Sequence, residues 1–388
     1  MTIRHKSIMS LVVIISVVGS VFAGENKIKL ILPTTIYSVP GYEMNLYFNN
    51  VILVPNVNNY IFDVDCGKGR QDRIRWRFTP SVKDVGKYPF SLKVIDGMNE
   101  VIAEASSEIY VTPANAGEGR DITIMVVGDS LTDQSHYPNG LQRLLQTQGN
   151  PKVKFIGSHT GGGRKPDETR VPHEGRGGWT WAAYCTRWAK NKGDYRSRSP
   201  FLFLKDGKPQ LDFQKYCDKY NDGKAPDFIT VFLGCNDTFR ADDRNIEERI
   251  DTMFKYADIL LSEFKKISKN TQIGLFLLVP PAATQDAFGS NYKCTQFRWQ
   301  YRRNQHRVVE RMIKKYSSKE KDNIFLIPAY INIDCVNNYS KREESLNARN
   351  KKKIWRDCNG VHPAKPGYEQ IADSMYCWLK YRLSLGKQ

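Results

Sequence analysis

Ile122-Thr123-Ile124-Met125-Val126-Val127-Gly128-Asp129-Ser130-Leu131 decides how this chain is read. Six apolar or β-branched residues run into a glycine, and a serine stands two positions later, ahead of a helical pattern. An unbroken apolar run of this length marks a strand covered on both faces, as in a parallel sheet. A serine just past its carboxyl end stands where the loops of an open α/β sheet converge and where ligands bind.

Three later segments reach the same edge. Gly177-Gly178-Trp179 comes after the strand-like run Val153 to Ile156, and Gly234-Cys235-Asn236-Asp237 after Phe228 to Leu233. Asn359-Gly360-Val361-His362-Pro363 leads into the last helix. Together they supply a hydroxyl nucleophile, an imidazole base and amide donors for an oxyanion, the set that acyl transfer needs. Taken singly, each has a plainer role open to it. Ser130 could cap a helix, Asn236-Asp237 is ordinary turn chemistry, His362 could pack at a helix start, and Gly178 could serve a positive φ. Four segments in order, each in its strand context, outweigh those readings.

At these residues the chain resembles the SGNH (GDSL) hydrolases, serine esterases and lipases built on a flavodoxin-like sheet. Gly128-Asp129-Ser130, Gly178, Gly234-x-Asn236-Asp237 and His362 stand in the family's order over roughly residues 120–382. The resemblance implies Ser130 as nucleophile and His362 as base, with the Ser130 amide, the Gly178 amide and the Asn236 side chain as oxyanion donors. Asp129, Trp179 and Asp237, beside these blocks, are expected to meet substrate. One position departs from the pattern. The family usually carries an aspartate three residues before the histidine, where this chain has Asn359. Either Asp357 swings in to orient the ring, which is the preferred expectation, or a Ser-His dyad works with a backbone carbonyl or Asn359.

From Asp121 onward strand-like runs alternate with helical ones. Residues 138–148 read as a helix closed by Gly149, residues 245–268 as a long amphipathic helix, and Ile273–Val279 and Ile324–Ile327 as further strands. Tyr368, Ile371, Ala372, Met375 and Leu379 line a terminal helix. The fold class is α/β, a flavodoxin-like, doubly wound parallel sheet of five strands. The long, aromatic, aperiodic stretch from Trp188 to Asp222 is expected to shape a substrate cleft. Upstream, Ile28–Leu32, Met44–Phe48, Tyr60–Val64, Ile74–Phe78, Tyr88–Val94 and Glu108–Thr112 are short strand-like runs between turn residues. They indicate a small all-β, Ig-like sandwich over 24–115, a linker at 113–119, and a catalytic domain over 120–388. Basic residues before the apolar run Ile8 to Val21, then Val21-Phe22-Ala23, suit a cleaved signal peptide over 1–23 and a periplasmic or secreted protein with no stable membrane span.

Charge is unevenly spread. Arg4 and Lys6 account for two of the formal +17, and residues 24–115 balance ten basic against ten acidic side chains, which leaves +15 on the catalytic part. Such a surface suits an anionic polysaccharide or oligosaccharide; no nucleic-acid fold signature accompanies it. The densest patch, Arg349 to Arg356, lies near His362 in sequence. The eight cysteines show no metal-ligand spacing, so no metal and no cofactor is expected, and their pairing stays open among 105 possibilities, with Cys66 set apart in the sandwich. The expectation is a polysaccharide acylesterase, acting on acetyl groups by analogy with exported two-domain family members. The alternatives are a lipase or lysophospholipase of the same family and a glycan-binding protein with a degenerate hydrolase domain.

Overall fold

The computed structural model describes residues 28–161, 169–189 and 195–386. The expected signal peptide falls outside them. Seven strands come first: β1 (Thr35–Ser38), β2 (Met44–Tyr47), β3 (Ile61–Asp65), β4 (Arg70–Gln71), β5 (Arg75–Phe78), β6 (Gly86–Ile95) and β7 (Val101–Val111), with a helical turn α1 (Phe48–Val51) after β2. They form two sheets, β1-β7-β6-β3 and β2-β5-β4, antiparallel throughout except where β1 runs parallel to β7. Period-two alternation buries Phe90, Leu92 and Val94 of β6 and Trp76 and Phe78 of β5. Trp76 meets Phe90 edge-on at 5.1 Å, which joins the two sheets face to face. Ile28–Leu32 is not a strand; only Leu30 bridges to Ile52, and the chain enters the sheet at β1, beyond Pro33.

This β-region shares a buried seam with the α/β part of the chain. Arg302, 3% exposed, donates to the carbonyls of Asn49, Asn50 and Ile52 at 2.8, 3.1 and 3.0 Å. The Asn332 amide oxygen accepts from the backbone and side chain of Asn45 at 2.9 and 3.1 Å. Polar groups this deep are tolerated only when so paired. The segment read as a linker is itself packed: Ala116 is buried, and a Cβ on Gly117 would sit 2.8 Å from Leu383.

The α/β part contains β8 (Asp121–Gly128), α2 (Ser130–Asp133), α3 (His136–Leu145), β9 (Lys152–Ile156), β10 (Glu174–Gly175), α4 (Trp181–Thr186), the hairpin β11 (Leu202–Lys205) and β12 (Lys208–Leu211), and α5 (Phe213–Tyr220). Then come β13 (Phe228–Phe232), α6 (Cys235–Thr238), α7 (Ile246–Lys265), β14 (Gln272–Phe276), α8 (Gln285–Tyr292), α9 (Arg298–Tyr316), β15 (Ile324–Ile327), α10 (Ala329–Asn332), the hairpin β16 (Lys341–Ser345) and β17 (Lys353–Asp357), and α11 (Lys365–Ser384). The central sheet is wholly parallel, in the order β9, β8, β13, β14, β15, with β10 continuing the β9 edge beside the end of β8. Every residue of β13 is buried, as a strand between two helical layers must be. Among the helices that flank the sheet, α3 packs with α11 and α7 with α9. A Cβ on Gly140 of α3 would come within 2.9 Å of Ala372 of α11, so the glycine is what lets these helices touch.

The aromatic insertion divides. Phe201, Phe213 and Tyr216 have no exposed surface and interlock with one another and with Phe264 of α7 at centroid distances of 4.7–5.8 Å, whereas Trp188, Tyr195, Phe203 and Tyr220 line an open pocket of about 480 Å³. The Arg349–Arg356 patch lies on the β16–β17 hairpin and its tip, with Trp355 68% exposed. All eight cysteines are free thiols, Cys66 included. No described helix is long and apolar enough to cross a membrane.

Candidate active site

Strand β8 delivers Ser130 to the carboxyl edge of the sheet as the first residue of α2. The turn is so tight that a Cβ on Gly128 would overlap the Thr132 side chain and lie 3.0 Å from the Phe232 carbonyl. The Ser130 hydroxyl and the Nε2 of His362 stand 2.7 Å apart although 232 residues separate them in sequence. Burial alone pulls the imidazole below its ordinary pKa, so near neutrality it is unprotonated and able to accept a proton. The His362 loop is braced on both sides. The Gly360 carbonyl accepts from Ala282 N–H at 3.0 Å, a Cβ on Gly360 would meet the Phe288 ring at 2.7 Å, and Tyr339 bridges Pro363.

The carboxylate expected on the ring is elsewhere. Asp357 ends β17 almost fully buried; its Oδ2 accepts the Thr284 hydroxyl at 2.7 Å and its Oδ1 has no partner. The hairpin register, with Asp357 opposite Lys341 and Cys358 N–H bonded to the Ser340 carbonyl, directs the side chain to the start of α8 before the chain turns toward His362. Asn359 does not replace it. Its side-chain oxygen accepts the backbone N–H groups of Val361 and His362 at 3.2 and 2.9 Å. Among the described residues no carboxylate is hydrogen-bonded to the His362 ring, and the geometry is that of a dyad.

Two backbone donors stand open beside Ser130. Neither the Ser130 nor the Gly178 N–H has a described protein acceptor, and Gly178 lies exposed at φ +77° with open space where a side chain would be. The neighbouring Gly177 N–H is committed to Asp133 Oδ2 at 3.1 Å, and the Tyr195 hydroxyl holds the same carboxylate at 2.8 Å. Sequence reasoning misses Asp133; the available signal is its place three residues after Ser130 in Ser-Leu-Thr-Asp. Asn236 donates to the Trp179 carbonyl at 3.0 Å and to Asp129 Oδ2 at 3.2 Å, so it ties the Gly178 loop to the nucleophile turn as well as facing the site.

The residues expected to meet substrate divide. Asp129 is 1% exposed and works beneath the site, accepting Leu131 N–H at 3.0 Å, Cys235 Sγ–H at 2.9 Å and the Asn236 amide; burial pushes its carboxyl up to about 6. Trp179 has no exposed surface, its indole flanked by the guanidinium groups of Arg176 and Arg187 at 5.3 and 4.8 Å. Neither side chain can touch a ligand here. Asp237 does border an open pocket: Oδ1 accepts Trp181 N–H at 3.2 Å, Oδ2 is unpartnered, and burial pushes the carboxyl up to about 7.

A serine and a histidine in contact at the mouth of a parallel sheet, with free amide donors alongside, define an α/β acylhydrolase. The chain belongs to the GDSL-like lipase/acylhydrolase family, whose model matches residues 124–375. Among solved structures it is similar to the Clostridium thermocellum family 3 carbohydrate esterase, at 16% identity over 69% of this chain and 100% of that one, with a TM-score of 0.42. It is also similar to a carbohydrate acetylesterase family member from Sinorhizobium meliloti (12%, 68% and 99%, 0.38) and to a putative arylesterase from Agrobacterium tumefaciens (15%, 67% and 99%, 0.38). None of the curated proteins matches the chain.

Proposed function

We propose that this chain is an exported serine esterase that removes acyl groups, chiefly acetyl, from a polysaccharide. The observation that carries the reading is the 2.7 Å contact between Ser130 Oγ and His362 Nε2 beside the unpaired Ser130 and Gly178 N–H groups. His362 takes the Ser130 proton, and the alkoxide attacks the ester carbonyl. The resulting oxyanion rests on the two backbone amides, with Asn236 as a third donor. His362 returns the proton to the leaving alcohol, and water activated by the same ring then clears the acyl-serine. Beyond the oxyanion donors the wall is polar, with Asp237 and two arginines, which suits a short acyl group on a polar alcohol better than a fatty chain. Export rests on residues 1–23, and the glycan on the resemblance to exported two-domain esterases.

The test is acetate release from a panel of acetylated glycans, alongside p-nitrophenyl esters of increasing acyl length. Acetyl esters should be turned over at least tenfold faster than octanoyl esters, and Ser130→Ala should abolish both activities. A preference for long acyl chains would replace this reading with a lipase. The imidazole without a carboxylate favours a second reading, a glycan-binding protein with residual chemistry. Failure of a serine-reactive phosphonate to label Ser130 would select it.

A further inference from the structure

A pocket of about 390 Å³ opens beside the oxyanion donors, walled by Gly178, Asn236, Asp237, Phe239, Arg240 and Arg249. Cations are plentiful on this flank, and most are already committed. Arg244 pairs with Asp242, Arg303 with Asp243, Arg307 with Glu247 and Glu310, and Arg311 with Glu247 and Asp251. Arg240 and Arg249 are different. Neither guanidinium has an ion pair or a side-chain hydrogen bond with any described residue, and both are exposed. The positions three and four residues from Arg249 along α7 are Asn245, Ile246, Thr252 and Met253, so its own helix offers no acid.

The turn that carries Arg240 is held in place. Buried Asn304 of α9 donates to the carbonyls of Thr238 and Ala241 at 3.0 and 2.7 Å, and the Gln296 side chain donates to the Phe239 carbonyl. The Phe239 ring packs edge-on against Tyr292 and Tyr301 at 5.1 and 5.7 Å. With the backbone already fixed, only the side-chain rotamers of Arg240 remain to be ordered when an anion binds. The one acid on the wall is Asp237, whose Oδ2 is unpartnered and which burial holds toward its neutral, proton-donating form. An anion seated there meets two forked cations and, with Asp237 held toward its neutral form, little opposing charge, within one pocket of the groups that would bind the ester oxyanion.

We propose that Arg240 and Arg249 form an anionic subsite and that the ester cleaved at Ser130 sits on, or next to, a sugar bearing a carboxylate, an acidic glycan of the uronate class. The inference rests on the esterase reading, and it moves the charge recognition away from the β16–β17 hairpin to the catalytic mouth. The arginines bind substrate and take no part in the chemical step.

The experiment compares acetate release from an acetylated polyuronate and from the same polymer with its carboxylates converted to methyl esters. Wild-type protein should favour the charged polymer at least tenfold in kcat/KM. In the Arg240→Gln/Arg249→Gln double variant that ratio should fall about tenfold, through KM. An unchanged ratio overturns the subsite. A binding arm is independent of turnover: Ser130→Ala protein should bind an unesterified oligouronate at least tenfold more tightly than a neutral oligosaccharide, and adding the two arginine substitutions should erase the difference. If no ester is cleaved yet this binding pattern holds, the esterase reading fails and the subsite stands. If a phosphorylated oligosaccharide binds more tightly than the uronate, the carboxylate assignment is overturned. Thermal midpoints of the variants within a few degrees of wild type exclude unfolding as the cause.

Discussion

Asn359 Oδ1 accepts the backbone N–H of His362 at 2.9 Å, so the side chain standing where the family usually carries its aspartate supports the histidine loop from behind and leaves the ring without a carboxylate. An amide oxygen can cap these N–H groups as an aspartate would, while adding no charge beside the imidazole. The Ser130–His362 contact survives because the loop is fixed by Phe288, Ala282 and Tyr339 rather than by an ion pair.

Asn359→Asp should therefore keep the loop and change the ring. A carboxylate added next to His362 favours the imidazolium, which raises the histidine pKa from the depressed value that burial gives it. Rate falls when the histidine protonates, so the acid limb of the kcat/KM profile should move to higher pH, by about one unit, equivalent to roughly 1.4 kcal/mol. Turnover at the plateau should rise, since the imidazolium formed during attack gains a counter-charge. A pH profile superimposable on wild type would mean that position 359 does not face the ring.

Asp357→Ala should be mild in catalysis and costly in stability. The residue bonds Thr284, not His362, so kcat at the pH plateau should change less than about tenfold, whereas loss of a triad carboxylate costs about 10⁴. The Thr284 hydroxyl loses its acceptor, for a stability loss of about 1–3 kcal/mol. Denaturant unfolding beside steady-state kinetics separates the two effects; a thousandfold drop in kcat with an unchanged midpoint would return Asp357 to the triad.

The contrast between Ser130 and Asp357 shows what a sequence can carry. Ser130, Asn236 and His362 are legible because each stands next to an element whose periodicity is plain, and a parallel sheet gathers such ends at one edge; Gly178 instead follows the two-residue β10, too short to show a period, and not the run Val153 to Ile156. Counting residues back from the histidine points to Asp357, but the direction of a buried side chain at a strand end depends on the register of a hairpin that no period announces. The first half of α9 is obscured too, because Arg302, Asn304, Gln305 and His306 face inward there, and the apolar rhythm is kept mainly by Val308, Val309, Met312 and Tyr316 in its second half. Phe201, Phe213 and Tyr216 suggest a sugar-facing surface because aromatic composition alone cannot tell a cleft from a core. Arg240 and Arg249 are invisible as a pair: their significance lies in which neighbouring acids other arginines have already taken.

Asp237→Asn should stabilise the protein, and only on the alkaline side. In the folded chain burial raises this carboxyl from 3.8 to about 7. A raised acid pKa means the folded state holds the proton more tightly, so the contribution is present in full below about pH 4 and is lost as pH rises through 7. The variant, neutral at all pH values, escapes that loss, and its Oδ1 can still accept Trp181 N–H. Its advantage over wild type should be near zero at pH 4, grow between pH 4 and 7, and level off above at something on the order of 2–4 kcal/mol. Urea unfolding at four pH values would show it; a difference independent of pH would mean that Asp237 is ionised throughout.

Asn236→Ala tests whether the oxyanion site depends on three donors or two. In the resting structure both amide hydrogens of Asn236 are engaged, with the Trp179 carbonyl at 3.0 Å and Asp129 at 3.2 Å, while the Ser130 and Gly178 N–H groups stand free of described acceptors. The longer of those bonds is the one that could be exchanged for a developing oxyanion, because Asp129 keeps Cys235 and Leu131 as donors. If that exchange occurs in the transition state, kcat should fall on the order of 10²–10³ with little change in KM. If Asn236 only ties the loops together, kcat should fall less than tenfold and the main effect should be a stability loss of about 1–2 kcal/mol from the orphaned Trp179 carbonyl. The decisive comparison is with Asn236→Asp, which fits the same volume but presents a negative oxygen toward the oxyanion and toward Asp129. It should be worse than alanine in kcat if the side chain faces the reaction, and no worse in kcat if it does not.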